Sequence, residues 1–188
     1  LLSLSKIEAN EHNRPQGQVN LEHVLRTVCE TLGQKAERKA MSIDIVCKDP
    51  VSDIPGDPQE LIQVFTNLVE NAIKYGTDNS AVTVTIEAIN RIPVIGDKGV
   101  RITVRNFGET IAPEHLPRLT ERFYRADPSR HKDTGGTGLG LAIVKHVLLN
   151  HDGTLNIRSS IGSGSEFICH FPRERLVERV PEKTDSDA

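Results

Sequence analysis

Apolar residues recur along this chain with two periods, and the switches between them mark out its elements. Leu1, Leu4 and Ile7 stand at helical spacing opposite Lys6, Glu8 and Glu11, until Asn13-Arg14-Pro15-Gln16-Gly17 interrupts the pattern. Leu21, Val24, Leu25, Val28 and Leu32 form one stripe, which predicts an amphipathic helix over 21–38 with Asn20 as its cap. Ile43 to Val46 reads as a short strand. Asp57-Pro58-Gln59-Glu60 starts a second helix, with a capping carboxylate, a proline at the first helical position and acids in the first turn. Its stripe runs from Leu61 to Ile73, and Gly76 ends it. Val82–Ala88 and Val100–Val104 alternate as strands, joined through a connection containing proline and glycine. A short helix is expected over 113–119, a polar mobile loop over 126–134, and a third helix over 138–149. Thr154–Arg158 and Glu166–Phe171 form a closing hairpin around Gly162-Ser163-Gly164. Helix, strand, helix, two strands, helix, two strands predicts a two-layer α/β (α+β) sandwich, a mixed sheet with helices on one face.

Composition narrows the class of protein. The chain has 188 residues, 37% hydrophobic and 26% charged, enough for one cored domain with short extensions. A formal charge of −3 argues against a general nucleic-acid binder. No apolar run reaches the length of a bilayer span, and no secretory pattern opens the sequence. The start at Leu1 leads us to expect a piece of a longer protein. Cys29, Cys47 and Cys169 lack metal-ligand spacing and read as reduced core thiols in a cytosolic setting. The seven histidines are scattered, with no HExxH and no evident triad, and read as surface or packing residues.

Two stretches carry candidate chemistry. On the second helix Asn67, Asn71 and Lys74 fall four and three residues apart, so they share one face. An asparagine carbonyl is a neutral oxygen ligand suited to Mg²⁺ whose charge phosphates already balance, and a lysine supplies a point charge to those phosphates. A solvated polar stripe is the competing explanation, although two mid-helix asparagines disfavour the helix slightly. Residues 135–141, Gly-Gly-Thr-Gly-Leu-Gly-Leu, run directly into an apolar helical pattern. Glycines let backbone N–H groups approach an anion, and the helix N-terminus adds partial positive charge. A flexible linker or tight turn would also use glycine here. The loop is neither a GxxxxGK[ST] phosphate loop nor a dinucleotide fingerprint.

In combination the segments resemble one family. Asn67-Leu68-Val69-Glu70-Asn71-Ala72-Ile73-Lys74-Tyr75 resembles the N box of sensor histidine kinases. Glu121-Arg122-Phe123-Tyr124-Arg125 resembles their F box, Gly135–Leu141 their G2 box, and Gly162 to Phe167 their final glycine motif. Order and spacing match over residues 15 to 172. The run from Leu116 to Arg125 is further similar to phosphate-regulon-type sensor kinases. The resemblance implies a Bergerat-type ATP-binding catalytic domain over 15–172, shared in fold with Hsp90, MutL and gyrase B. Residues 1–14 would end the dimerisation helix hairpin, and 173–188 would be a flexible tail.

The same similarity implies roles for individual residues. Asn71 would hold Mg²⁺ against the triphosphate. Asn67 and Lys74 would contact phosphates or their water shell, and Tyr75 would pack near the nucleotide. Arg125 would meet the terminal phosphate. Gly136, Gly138 and Gly140 would shape the phosphate loop beside Thr137 and Leu139, with residues 126–137 as a lid over ATP. Asn106, Gly108, Thr110 and Ile111 occupy the place of the G1 box, usually Asp-x-Gly-x-Gly. In the family that aspartate accepts a hydrogen bond from the adenine amino group. Loss of the charge at Asn106 would cost ~1–3 kcal/mol, roughly ten- to hundredfold in affinity. Thr110 would be strained if its φ were positive.

The implied reaction is transfer of the ATP γ-phosphoryl to a histidine of the dimerisation hairpin, for relay to a response regulator. The phosphoacceptor segment is absent, since His12 and His23 have the wrong flanks. The implied parent is a homodimer anchored in the inner membrane with this domain in the cytoplasm, and the piece itself is expected to be monomeric. Two alternatives stay open. One is a degenerate, nucleotide-poor regulatory module that binds its helix hairpin or a response regulator. The other, disfavoured, is an ATPase using Glu70 to activate water.

Overall fold

A computed structural model describes residues 14–126 and 137–174. The expected helix end over 1–11, most of the lid including Gly136, and nearly all of the charged tail lie outside the described residues. In chain order the elements are β1 (Gln18–Val19), α1 (Leu21–Glu37), β2 (Ser42–Cys47), β3 (Ile54–Pro55), α2 (Pro58–Tyr75), β4 (Ala81–Ile89), β5 (Gly99–Asn106), α3 (Gly140–Asn150), β6 (Thr154–Ser160) and β7 (Gly164–Pro172). A single 3₁₀ turn, Leu116–Arg118, stands in the region where a short helix was expected.

Five strands form one sheet in the order β2-β4-β5-β7-β6. Only β2 and β4 run parallel, and the other neighbours are antiparallel, so the sheet is mixed as its element order predicts. Alternation gives each strand a buried face. Val82, Val84 and Ile86 of β4, Val100, Ile102 and Val104 of β5, and Phe167, Cys169 and Phe171 of β7 are buried together. Against them lie Val24, Leu25 and Val28 of α1, Leu61, Val64, Phe65 and Leu68 of α2, and Val144, Val147 and Leu148 of α3. The Phe65 and Phe171 rings meet at 6.1 Å and 57°, a tilted contact at the centre of this core. The small β1–β3 ribbon, which sequence alternation does not reveal, places Gln18 opposite Pro55 and Val19 opposite Ile54. It fixes the approach to both α1 and α2.

The opposite face of the sheet is polar. Glu87 pairs with Lys48 at 3.1 Å and with Arg101 at 3.2 Å. Arg101 Nε also donates to His170 Nε2 at 3.4 Å, so Nδ1 carries the proton and donates to Thr154 Oγ1 at 3.1 Å. Burial first, then the Arg101 and Arg158 guanidinium charges, lower the His170 pKa and keep the ring neutral.

One cysteine departs from the core reading. Cys29 and Cys169 are buried, but Cys47 is exposed at the end of β2, an edge strand with one face open to solvent. Burial pushes the Cys29 thiol to about 11 and the Cys169 thiol to about 12, so both resist ionisation near neutrality. Iodoacetamide at neutral pH is therefore expected to label only Cys47 in the native protein and all three thiols in denaturant, read by intact mass. Rapid labelling of two or three thiols in the native state would contradict this packing.

Candidate functional site

The site is built on α2, and both ends of that helix are fastened. Asp57 caps its start, accepting from Gln59 N at 2.7 Å and Glu60 N at 3.0 Å. Asp57 N in turn donates to His151 Nε2 at 3.1 Å, which leaves Nδ1 protonated to donate to Val147 O at 2.8 Å. His151 is 2% exposed and ties the start of α2 to the end of α3. At the other end Lys39 Nζ donates to the carbonyls of Ile73 at 2.9 Å, Lys74 at 3.2 Å and Gly76 at 2.7 Å. A cation on carbonyls without helical partners opposes the negative end of the helix dipole. Gly76 is not left-handed, as a glycine cap usually is: its φ is −71° and its ψ 151°. It matters for closeness, since a Cβ there would press on the Met41 side chain and the Ala72 carbonyl.

The polar face of α2 divides into used and unused groups. Asn67 is used. Its Nδ2 donates to Gly140 O at 3.2 Å, and its Oδ1 accepts from Gln63 Nε2 at 3.2 Å. It is a strut between α2 and the first residue of α3. Glu70 is used too, paired with Lys35 of α1 at 2.7 Å. Asn71 and Lys74 are half-buried and have no hydrogen bond or ion pair from their side chains among the described residues. The Lys74 ammonium stands 5.1 Å from the centre of the Tyr75 ring, which is 50% exposed.

The loop after β5 is stitched to the end of α2. Thr77 N donates to Phe107 O at 2.7 Å, and Gly108 bridges Gly76. A Cβ on Gly108 would run into the Tyr75 carbonyl, so only glycine allows this approach. Asn106 ends β5, is 3% exposed, and makes no side-chain hydrogen bond among the described residues. Thr110 is exposed and its φ is not positive, so the strain considered for it is absent. Ile111 N donates to Ser159 Oγ at 2.9 Å, and Ser159 Oγ lies 2.9 Å from Ser165 Oγ, which holds the loop against β6 and β7.

The approach to α3 is locked to the segment resembling the F box. Phe123 N donates to Gly138 O at 3.0 Å. Both residues are left-handed, with φ of 62° and 70°, and a Cβ on Gly138 would sit 2.7 Å from the Phe123 carbonyl carbon. A phenylalanine with positive φ is strained and persists only because its surroundings hold it. Two residues on, Arg125 keeps Nη2 buried without a hydrogen-bond partner. No side chain caps α3 at Leu139, whose N–H reaches Thr137 Oγ1 only at 3.4 Å. Beside them Tyr124 OH meets His115 Nδ1 at 2.6 Å, with the Arg118 guanidinium 4.2 Å from the tyrosine ring centre.

Five of the residues marked from the sequence lie in three contacts: Asn67 with Gly140, Tyr75 with Gly108, and Gly138 with Phe123. Beside these contacts, among the described residues, Asn71, Lys74 and Asn106 make no side-chain hydrogen bond and Arg125 Nη2 has no partner. Sequence reading missed Gln63, Lys39, Ser159, Ser165 and His151. Among them only Lys39 had a signal, a basic residue shortly after a helix. Two depressions lie elsewhere: ≈ 460 Å³ between α1 and β2, and ≈ 440 Å³ on the polar face of the sheet.

Comparison with known proteins shows the family and the fold. The family described as histidine kinase-, DNA gyrase B-, and HSP90-like ATPase matches residues 56–175. The chain is 40% identical over 181 residues to the phosphate regulon sensor protein PhoR of Pseudomonas aeruginosa, covering 95% of this chain and 38% of that protein. It is 36% identical over 172 residues to the sensor-like histidine kinase SenX3 of Mycobacterium tuberculosis, covering 88% and 40%. The chain therefore spans about two fifths of the curated relatives it matches. Full-length ShkA in complex with AMPPNP superposes with a TM-score of 0.75 at 28% identity, over 89% of this chain and 33% of that one. The mycobacterial sensor histidine kinase MprB has the same fold, with a TM-score of 0.71 at 23% identity over 85% of this chain and 100% of that one.

The fastening of α2 has a measurable consequence. Lys39→Met removes a cation from three carbonyls and is expected to lower the unfolding free energy by ~1–2 kcal/mol. Lys35→Met, at an exposed pair, should change it by less than ~1 kcal/mol. Urea titration of both variants checks this ordering, and equal small effects would show that Lys39 does not hold the helix end.

Proposed function

We propose that this chain, which belongs to the histidine kinase-, DNA gyrase B-, and HSP90-like ATPase family, binds Mg-ATP between α2, the loop after β5 and the start of α3. The observation that carries the reading is the split among polar groups. Asn67, Glu70 and Lys39 are consumed in building the walls, whereas among the described residues the side chains of Asn71, Lys74 and Asn106 make no hydrogen bond and Arg125 Nη2 has no partner. A buried guanidinium nitrogen without a partner and an uncapped helix N-terminus both suit an anion. A neutral amide oxygen suits a cation already balanced by phosphates. The donor set therefore fits a magnesium nucleoside triphosphate.

In this reading Asn71 holds the metal through its amide oxygen, and Lys74 and Arg125 place positive charge on the phosphates. Gly138, Gly140, Thr137 and Leu139 present backbone along the phosphate path, and Gly136 lies outside the described residues. Tyr75, Asn106, Gly108, Thr110 and Ile111 line the side that receives the base. ATP supplies the phosphoryl group, and Mg²⁺ supplies neutralisation of its charge. The protein contributes orientation and fixed charge, the main requirements of phosphoryl transfer. The acceptor is a histidine on the dimerisation helix hairpin of the parent protein. A response regulator then takes the group, and the parent is a membrane-anchored homodimer. Residues 15–172 form the nucleotide-binding unit. None of the described helices is long and apolar enough to cross a membrane.

The nucleotide-poor alternative is not favoured. Thr110 is unstrained, and Asn106 keeps an acceptor oxygen. Water activation by Glu70 is disfavoured by its ion pair with Lys35. Calorimetric titration with Mg-ATP tests the proposal. The chain should bind, and Asn71→Ala should weaken binding at least tenfold while leaving the thermal midpoint unchanged. Undiminished affinity in Asn71→Ala would remove Asn71 from the site, and no binding by the unmodified chain would overturn the nucleotide assignment.

A further inference from the structure

We infer that the polar face of the sheet, turned away from the helices, binds a small organic dianion between the guanidinium groups of Arg101 and Arg158. Strand register orders this face in rows. Thr85, Thr103, Ile168 and Asn156 form an uncharged row across β4, β5, β7 and β6. On one side of it run Thr83, Arg105, Glu166 and Arg158, and on the other Glu87, Arg101, His170 and Thr154. Residues two apart along a strand are separated by ~7 Å, so the charged rows stand ~14 Å apart with the neutral row between them. A depression of ≈ 440 Å³ lies over these rows, and Lys48 and Pro93 also line it. That volume suits a small ligand.

Charge sets what the depression accepts. Lys48, Arg101, Arg105 and Arg158 meet Glu87 and Glu166 there, so four cations and two carboxylates leave a local charge of +2 on a chain whose formal charge is −3. Glu87 is held by Lys48 and Arg101, and Glu166 reaches Arg105 only at 3.9 Å. Arg105 spends its Nε and Nη2 on the Ser163 carbonyl at 3.0 and 2.8 Å. Arg101 gives Nε to His170 and Nη1 to Glu87, and its Nη2 makes no hydrogen bond. Arg158 is exposed and has no hydrogen bond or ion pair among the described residues, and the same holds for the Asn156 amide two residues before it on β6. Burial, then the charges of Arg101 and Arg158, lower the His170 pKa, so both guanidiniums act over β7 from opposite rows. Between them the Thr103 hydroxyl, the Asn156 amide and the Ile168 side chain offer polar contacts and an apolar floor. A short stem with a carboxylate at each end matches this layout, and planar guanidinium groups favour planar carboxylates. A long polyanion would run onto Glu87 and Glu166 in the same rows.

Succinate is the probe, with butyrate as a monoanion of similar length and sodium chloride to match ionic strength. An NMR titration of the 188-residue chain should show saturable succinate binding with a dissociation constant below ~1 mM. The amide shifts should centre on Thr103, Asn156 and Ile168, and the His170 pKa should rise as the dianion offsets the two guanidinium charges. Butyrate should bind roughly tenfold more weakly, and Arg158→Gln should lose roughly tenfold in succinate affinity while keeping the thermal midpoint. Absence of saturable succinate binding overturns the inference. Equal affinity for succinate and butyrate overturns it, as does an Arg158→Gln chain that binds succinate undiminished. Shifts centred instead on Gly138 and Gly140 would put the anion at the start of α3 and overturn it too. The comparison of succinate with butyrate decides the matter even where the variant does not fold.

Discussion

The position of α2 is the constraint on which the rest of the molecule depends. One of its faces is apolar and lies on the sheet, and the other carries the amides and the ammonium. Rotation or sliding by a single residue would mix the two. The molecule prevents this at both ends by charge and hydrogen bonding rather than by apolar packing alone. Asp57 and His151 fix the start, and the Lys39 ammonium grips three carbonyls at the end. Phe65 and Phe171 then set the depth at which the helix sits. With α2 fixed, Asn67 can reach across to Gly140 and place the start of α3. The loop after β5 can close on Tyr75 in the same way. Each later contact presupposes the first.

A second constraint is closeness. Gly108 and Gly138 sit where backbones meet with no room for a Cβ, one against Tyr75 and the other against Phe123. These approaches join segments distant in sequence, and they exclude side chains from the space where a ligand would lie. The Gly138 contact also holds Phe123 in a left-handed conformation that a free chain would rarely visit. The ring of Phe123 is 70% exposed as a result, displayed at the rim of the site rather than packed beneath it.

The sequence declared its helices well, because a stripe of Leu, Val and Ile at helical spacing reports a buried face and the residues at its ends report the caps. Asn20, Asp57 and Pro58 do what their positions predict. Strand alternation likewise revealed which residues face inward, and Val82 to Val104 follow it closely. It could not reveal partners. The parallel pairing of β2 with β4 and the two-residue ribbon of β1 with β3 depend on contacts across tens of residues, and no local period encodes them. The site shows the same division. Asn67, Asn71 and Lys74 share a helical face that spacing alone predicts, and the glycine run stands directly before α3 as its pattern indicates. Gln63, Ser159 and His151 carry no local signal, since an ordinary polar residue becomes a strut only when the fold delivers its partner. Cys47 misleads for a related reason: a residue type that is usually buried lies here on an edge strand, where nothing covers it.

Along α2 hydrogen bonding separates the side chains better than residue type does. Asn67 and Asn71 are the same amino acid, one turn apart on one helix. Both amide ends of Asn67 are bonded within the protein, and removing it would loosen a wall. Asn71 is bonded to nothing among the described residues, and removing it would leave the fold as it is. Lys35 and Lys74 repeat the contrast, one spent on Glu70 and the other open beside an exposed ring. Polar groups held half-buried without partners lower the stability of the empty fold by ~1–3 kcal/mol for each one that is desolvated. Arg125 Nη2 is such a group, buried without a partner among the described residues, two residues after the Phe123–Gly138 contact. The fastened ends of α2 supply the rigidity that holds these groups in place.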